Sequence, residues 1–216
     1  MTELTLMDET VNDAVDIFKM IKDVEEIDSE SVYILGHSLG GLSIPLIAEE
    51  VDAKGYVIAA GNVRPIQEIM LEQIEYLLNL DDMLTKDEQD YIAKFKVEID
   101  KIRNVEEAND DELILGTYKA YWEFLNHYDP IEMAESIDEL VFVVQGERDY
   151  QVTLEDYNLW LDAFSGKDNW SFKTYPSLNH LLMPGEGKPS NEEYKIINQV
   201  SEELITDIAD WVKSGL

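Results

Sequence analysis

The sequence predicts an α/β fold, a mostly parallel sheet flanked by helices and interrupted by a helical insertion. Three observations carry this expectation. Short apolar runs rich in β-branched and aromatic residues alternate with segments of helical periodicity, the pattern of units that build a parallel sheet. One such run, Ser31 to Leu35, leads straight into Gly36-His37-Ser38-Leu39-Gly40, a serine at the tip of a tight strand-to-helix turn. Between residues 65 and 128 the alternation stops, the chain becomes helical and strongly charged, and the alternation then resumes.

From Asp8 to Val24, apolar Val11, Ala14, Val15, Phe18, Ile21 and Val24 recur at helical spacing with acidic residues between them, which predicts an amphipathic helix covering a sheet. Ser31 to Leu35 reads as a strand buried on both faces. The helix after the turn extends to Glu50, with Pro45 tolerated near its first turns. Lys54 to Ala60 is a second buried strand, closed by Gly61-Asn62.

Within the charged block, Ile66, Ile69, Met70, Gln73, Ile74, Leu77 and Leu78 form one helical stripe. Thr85-Lys86-Asp87-Glu88 has capping-box spacing and opens a helix through Tyr91, Phe95 and Ile99. Thr117 to Leu125 carries Tyr118, Tyr121, Trp122 and Phe124, either core packing or the lining of an acyl-binding pocket. Residues 64–128 are therefore expected to form a helical lid, and 1–63 with 129–216 the α/β core. In the core's second part, Leu140 to Gln145 and Trp170 to Tyr175 read as strands, and Thr153 to Ser165 as a helix with Thr153 and Asp156 in capping positions. Ser190-Asn191-Glu192-Glu193 is expected to open a terminal helix carrying Ile196, Ile197, Val200, Leu204, Ile208 and Trp211 on one face.

A chain of 216 residues is the size of one domain, or of a core with an insertion, and 45% hydrophobic content is that of a globular protein. Its 47 acidic and 16 basic residues give a net charge of -31, spread along the chain as a solvated acidic surface. Such a field repels nucleic acid and anionic membrane surfaces, and favours neutral or cationic substrates. With no cysteine, neither disulfides nor thiolate metal sites can form. Met1-Thr2-Glu3-Leu4 lacks the basic start of a secretory leader, and no apolar run reaches membrane-spanning length, so a cytoplasmic location is expected. Three scattered histidines offer no metal-ligand pair, and no phosphate loop or dinucleotide glycine fingerprint occurs, so neither metal nor cofactor is expected.

The turn around Ser38 points to chemistry. A sharp strand-to-helix turn strains the backbone and lifts the serine hydroxyl clear of the sheet, with the flanking glycines leaving room for the chain. A serine hydroxyl is a poor nucleophile until a base takes its proton and an acid orients that base. His37 lies inside the turn, with its side chain expected to point away from the serine's face, and His127 ends the insertion in a packing or hinge role. His180, in the loop after the last strand, is the candidate base. Gln145-Gly146-Glu147-Arg148-Asp149 follows the third strand, where catalytic groups of open α/β sheets gather, and offers Asp149, with Glu147 as the alternative acid. The order Ser38, Asp149, His180 favours Asp149.

The segments GHSLGG, AAGNVRP, QGERDYQV and LNHLLMPGEG together resemble α/β-hydrolases of the serine esterase and acyl-peptidase type, near dienelactone-hydrolase-like and prolyl-oligopeptidase-like sequences. The resemblance implies a cofactor-free serine hydrolase of a small carboxylic ester, with Ser38 as nucleophile, Asp149 as orienting acid, His180 as base and the Leu39 N–H as one oxyanion donor. A peptidase, a thioesterase or a non-catalytic scaffold on the same fold are the alternatives. Arg64, Tyr121 and Trp122 are candidate substrate-binding residues, Arg64 pairing with either a substrate carboxylate or the acidic surface. The family's amino-terminal strands, and the loop giving a second oxyanion N–H, have no counterpart upstream of Ser38. An N-terminally truncated sheet is therefore expected, with Ser31–Leu35 as an open edge and a homo-oligomer paired through it.

Overall fold

The computed structural model describes residues 2–215; Met1, the first residue of the segment read above for a leader, and Leu216 lie outside it. The chain forms two compact units, one of Val11–Val63 with Asp129–Leu216, the other of Met1–Thr10 with Arg64–Tyr128.

The larger unit is built on four strands, β1 (Tyr33–His37), β2 (Gly55–Ala59), β3 (Leu140–Gly146) and β4 (Trp170–Tyr175), all parallel in the order β1-β2-β3-β4. Alternation of side chains across the pleat divides the core in two. Register places Val57 beside Phe142 and Ala59 beside Val144, and these pack with Tyr175, Leu178, Leu182 and Leu204. Trp211 of the terminal helix stacks on Phe142 across this face, 5.6 Å between ring centroids. The opposite face carries Val141, Val143, Trp170 and Phe172, and there the helix Leu154–Phe164 packs Trp160 and Phe164 against Trp170.

The helices of this unit are α1 (Asn12–Lys22), preceded by a π-helical turn over Met7–Val11, and α2 (Leu39–Glu50), which leaves β1 directly. The insertion contributes α3 (Ile66–Leu78), α4 (Lys86–Arg103) and α5 (Lys119–His127). Then come α6 (Pro130–Ala134), α7 (Leu154–Phe164) and α8 (Glu202–Ser214). Asp129 caps α6 by accepting from the Ile131 and Glu132 amides, with Pro130 at the first helical position where its missing N–H costs nothing.

Several local expectations are corrected. β1 is not buried on both faces: it is the sheet's edge, and Leu35 is 51% exposed. Pro45 lies in the middle of α2, beyond its first turn, and deletes the bond its N–H would make to the Gly41 carbonyl. Burial of Leu42, Ile44 and Ile47 holds that helix in place of the lost bond. The terminal helix begins only at Glu202, capped by the Ser201 hydroxyl. Upstream, the predicted start after Ser190 forms only the 3-10 turn Asn191–Lys195, in which the Glu193 side chain pairs with Arg148, and Ile196 and Ile197 are exposed. Asp156 turns its carboxylate to the Val63 amide, 2.9 Å away, and thereby anchors the loop after β2.

The smaller unit is helical. The Thr85–Glu88 capping box is formed in both directions, and the buried stripe of α4 runs through Ile92, Phe95, Ile99 and Ile102; Tyr91, one position off that face, is exposed. Ile102, Val105, Ile114 and Trp122 make one cluster, flanked by Met70 and Leu125. The outer surface carries ion pairs such as Arg103–Glu68 and Lys101–Glu112. Among the described residues no helix is long and apolar enough to cross a membrane.

Candidate active site

Three loops leave the carboxyl ends of β1, β3 and β4, and together they assemble the site. At the first, Ser38 holds φ 56° and ψ -118°, a left-handed conformation that a serine adopts at a cost of about 1–3 kcal/mol. The turn is held from two sides. Ser38 N–H donates to the Ala59 carbonyl at 2.9 Å, and Leu42 N–H returns to the Ser38 carbonyl at 3.1 Å. Gly36 is required here, since a Cβ on it would stand 2.1 Å from the Gly40 carbonyl oxygen. Gly40 itself meets nothing, so the second close approach belongs to Gly41, whose Cβ would fall 2.7 Å from Gly61 Cα. Leu39 is the first residue of α2, so its N–H has no acceptor within the helix and stands beside the serine.

The second loop follows β3. Gly146 lets it approach the third loop, because a Cβ there would meet the Leu178 carbonyl at 2.3 Å. Backbone bonds Glu147 N–H to Tyr175 O at 2.9 Å and Arg148 N–H to Leu178 O at 3.0 Å stitch the two together. Asp149, its side chain fully buried, accepts four hydrogen bonds. The Gln151 and Val152 amides donate to Oδ1 at 2.8 and 3.0 Å, while Gln145 Nε2 and His180 Nδ1 donate to Oδ2 at 3.0 and 2.8 Å. So saturated, the carboxylate has one orientation. It fixes the proton of His180 on Nδ1 and leaves Nε2 as an acceptor, 3.0 Å from Ser38 Oγ.

Thus Ser38, His180 and Asp149 come together in one hydrogen-bonded line. Glu147 does not join it and accepts from the Thr174 hydroxyl at 2.7 Å on the surface. His127 is also elsewhere, its Nδ1 donating to the Glu123 carbonyl at 2.7 Å. Arg64 pairs with Glu72 at 2.9 Å, Tyr121 donates its hydroxyl to Glu9, and Trp122, 2% exposed, donates its indole N–H to the Ile114 carbonyl at 2.8 Å; all three partners lie within the helical unit.

Two neighbours of the line were not legible as such. Gln145 reads in the sequence as the last residue of a strand, yet it is 1% exposed and steadies Asp149. His37 does not simply point away: its Nε2 donates to the His180 carbonyl at 2.7 Å, and its ring lies 4.8 Å from that of His180. Burial, reinforced by the nearby His180 ring, holds the His37 pKa below its ordinary value, against the pull of its backbone hydrogen bond and of Asp149. Its adjacency to Ser38 was the only available signal.

A family model described as serine aminopeptidase, S33, matches residues 2–187. Esterase EstD of Thermotoga maritima is 36% identical over 211 residues, 98% of this chain and 49% of its own length, so the chain spans about half of that relative. Among solved structures, the monoacylglycerol lipase of Paleococcus ferrophilus superposes with a TM-score of 0.52 at 16% identity, over 96% of this chain and 76% of that one. Dipeptidyl peptidase 4 of Porphyromonas gingivalis gives 0.57 at 14% identity, over 100% of this chain and 24% of the other. At such identities these two speak to fold alone, and the fold they share is the α/β-hydrolase. With a model matching most of its length and a 36% identical esterase aligned across nearly all of it, the chain belongs to the serine aminopeptidase S33 family of α/β-hydrolases.

Proposed function

We propose that the chain is a serine hydrolase that cleaves small carboxylic esters through an acyl-enzyme. The unbroken hydrogen-bonded line from the Asp149 carboxylate through His180 to Ser38 Oγ carries this reading. Ser38 Oγ attacks the ester carbonyl carbon as His180 Nε2 accepts its proton, and the Leu39 N–H donates to the developing oxyanion. Collapse of the tetrahedral intermediate breaks the bond to the alcohol oxygen, which leaves with the proton from Nε2. Water then repeats the sequence on the acyl-enzyme, regenerating Ser38 and releasing the acid. Throughout, Asp149 accepts from His180 Nδ1, keeps the imidazole in its tautomer and stabilises its charged form.

A peptidase reading has one specific support, the family's own description, and shares every residue named. The experiment is labelling with a fluorophosphonate probe, followed by short p-nitrophenyl esters and aminoacyl anilides side by side. Labelling abolished by Ser38→Ala, with ester turnover exceeding anilide turnover, is the expected result; a chain that never labels at any pH is a scaffold. Selectivity for the acyl or alcohol group is assigned to the helical insertion, acting as a lid. Arg64, at 19% side-chain exposure, is the first residue to vary there, with Tyr121 and Trp122 acting through the insertion's shape. We assign a neutral or cationic small substrate on the strength of the net charge of -31. A homo-oligomer paired through the edge of β1 is the expected assembly, checked by light scattering and by hydrogen-exchange protection of residues 33–37.

A further inference from the structure

The residue preceding each member of the Ser38, Asp149, His180 line takes part in bonds that hold these loops to one another or to their surroundings. His37 donates to the His180 backbone carbonyl. Asn179, 3% exposed, uses Oδ1 to accept from the Leu181 and Met183 amides at 3.0 and 3.3 Å, fixing the curl of the loop that carries His180. Its Nδ2 donates to Glu193 Oε2 at 3.0 Å. The other carboxylate oxygen of Glu193 accepts from Arg148 Nη2, and this pair is nearly buried, with side-chain exposures of 14% for Arg148 and 12% for Glu193. Arg148 reaches further, donating from Nη1 to the Gly187 carbonyl at 2.5 Å and from Nη2 to the Glu186 carbonyl at 3.2 Å. Gly185 makes room, since a Cβ on it would meet Glu193 Oε2 at 2.5 Å.

We propose that Glu193 is a positioning residue, a two-pronged clasp whose carboxylate joins Arg148, beside the acid, to Asn179, beside the base, and so sets the distance between the Asp149 and His180 loops. The proposal rests on the reading of Ser38, His180 and Asp149 as the reacting line. Sequence separation argues for such a clasp. Asp149 and His180 sit on different loops, whose backbones are joined at Glu147–Tyr175 and Arg148–Leu178, and a carboxylate with two ordered donors adds a side-chain constraint on both loops at once. Among the described residues the buried Arg148 Nε–H has no acceptor.

The test measures the rate of fluorophosphonate labelling of Ser38 in the full chain. Glu193→Ala is expected to slow labelling by about tenfold to a hundredfold, the scale of a small misplacement of reacting groups. Glu193→Gln keeps the shape but turns one of the two acceptor oxygens into a donor facing Arg148 or Asn179, so it opens one prong and is expected to slow labelling by an amount between the parent and Glu193→Ala, about threefold to tenfold. A folded Glu193→Ala with the parent's rate overturns the proposal, as does a Glu193→Gln that labels at the parent's rate, since one of the two prongs is then dispensable. Where Glu193→Ala does not fold, Gly185→Ala decides: it displaces the carboxylate with every charge kept, and unchanged labelling there overturns the clasp. The far-downfield proton resonance of His180 Nδ1 separates this proposal from the hydrolase reading. Its loss in Glu193→Ala supports the clasp even in a chain that never labels, whereas its persistence unchanged overturns the clasp whatever the chain's activity.

Discussion

The two units of this chain hold themselves together in different ways. In the sheet unit, polar groups are buried and paired across long stretches of sequence: Asp149 with His180, Asp156 with Val63, Trp160 with the Gly61 carbonyl at 2.9 Å. In the helical unit most polar pairing is local or on the surface, as in the Thr85–Glu88 box and the Lys101–Glu98 pair, while Ile102, Val105, Ile114 and Trp122 supply the interior. Exposed pairs of this sort contribute little, so apolar packing carries the helical unit. A site that must keep reacting groups within a few tenths of an ångström belongs on the first kind of structure, where backbone bonds and close glycine contacts fix the loops.

The comparison can be broken most severely at Ser38. Ser38→Ala is expected to lower ester turnover on the order of 10⁶-fold with the melting temperature little changed, since a hydroxyl at a strained turn contributes chemistry and not packing. Turnover surviving in that variant would move the reaction elsewhere. Gly146→Ala should follow, at about 10²-fold in turnover, by pushing the Leu178 carbonyl and the base loop away from Asp149. Parent-like turnover there would show that the loops adapt and that the sheet unit is less rigid than its contacts imply.

In the helical unit the effects should appear as stability. Trp122→Ala opens a cavity and removes one of the two hydrogen bonds to the Ile114 carbonyl, and should cost about 3–5 kcal/mol in denaturant unfolding of that unit. Thr85→Ala removes one side of the capping box and should cost about 1 kcal/mol by the same measurement. The smallest expected effect is a pH dependence. Burial lowers the His37 pKa, so the unfolded chain binds the proton more readily than the folded one. The stability this contributes is complete above the unfolded value of about 6.5 and is lost as pH falls from there through the folded value. Melting temperatures recorded across that range should fall with pH in the parent and fall less in His37→Asn.

Where each reading succeeded follows from how far its cause extends along the chain. The capping box of α4 is set by four consecutive residues, and β4 by six, so both could be read directly. The stripe of α4 was read one residue off, at Tyr91 in place of Ile92, because spacing alone does not say which of two adjacent apolar residues meets a neighbour. The terminal helix was read too early: Ser190 opens only the 3-10 turn Asn191–Lys195, whose Glu193 side chain pairs with Arg148, 45 residues away, and the α-helix starts at Glu202.

By itself, then, the sequence determined the strand and helix alternation, the tight turn at Ser38, and the chain order Ser38, Asp149, His180. Those are properties of short segments and of their succession. The tertiary structure alone decided that Asp149 and not Glu147 faces His180, that Gly41 and Gly146 are the points of closest approach, that Trp122 serves an interior, and that Glu193 joins the loops of acid and base. Each of these depends on which backbone lies opposite a side chain once the sheet has formed, and residues far apart in a chain carry no local trace of that neighbour.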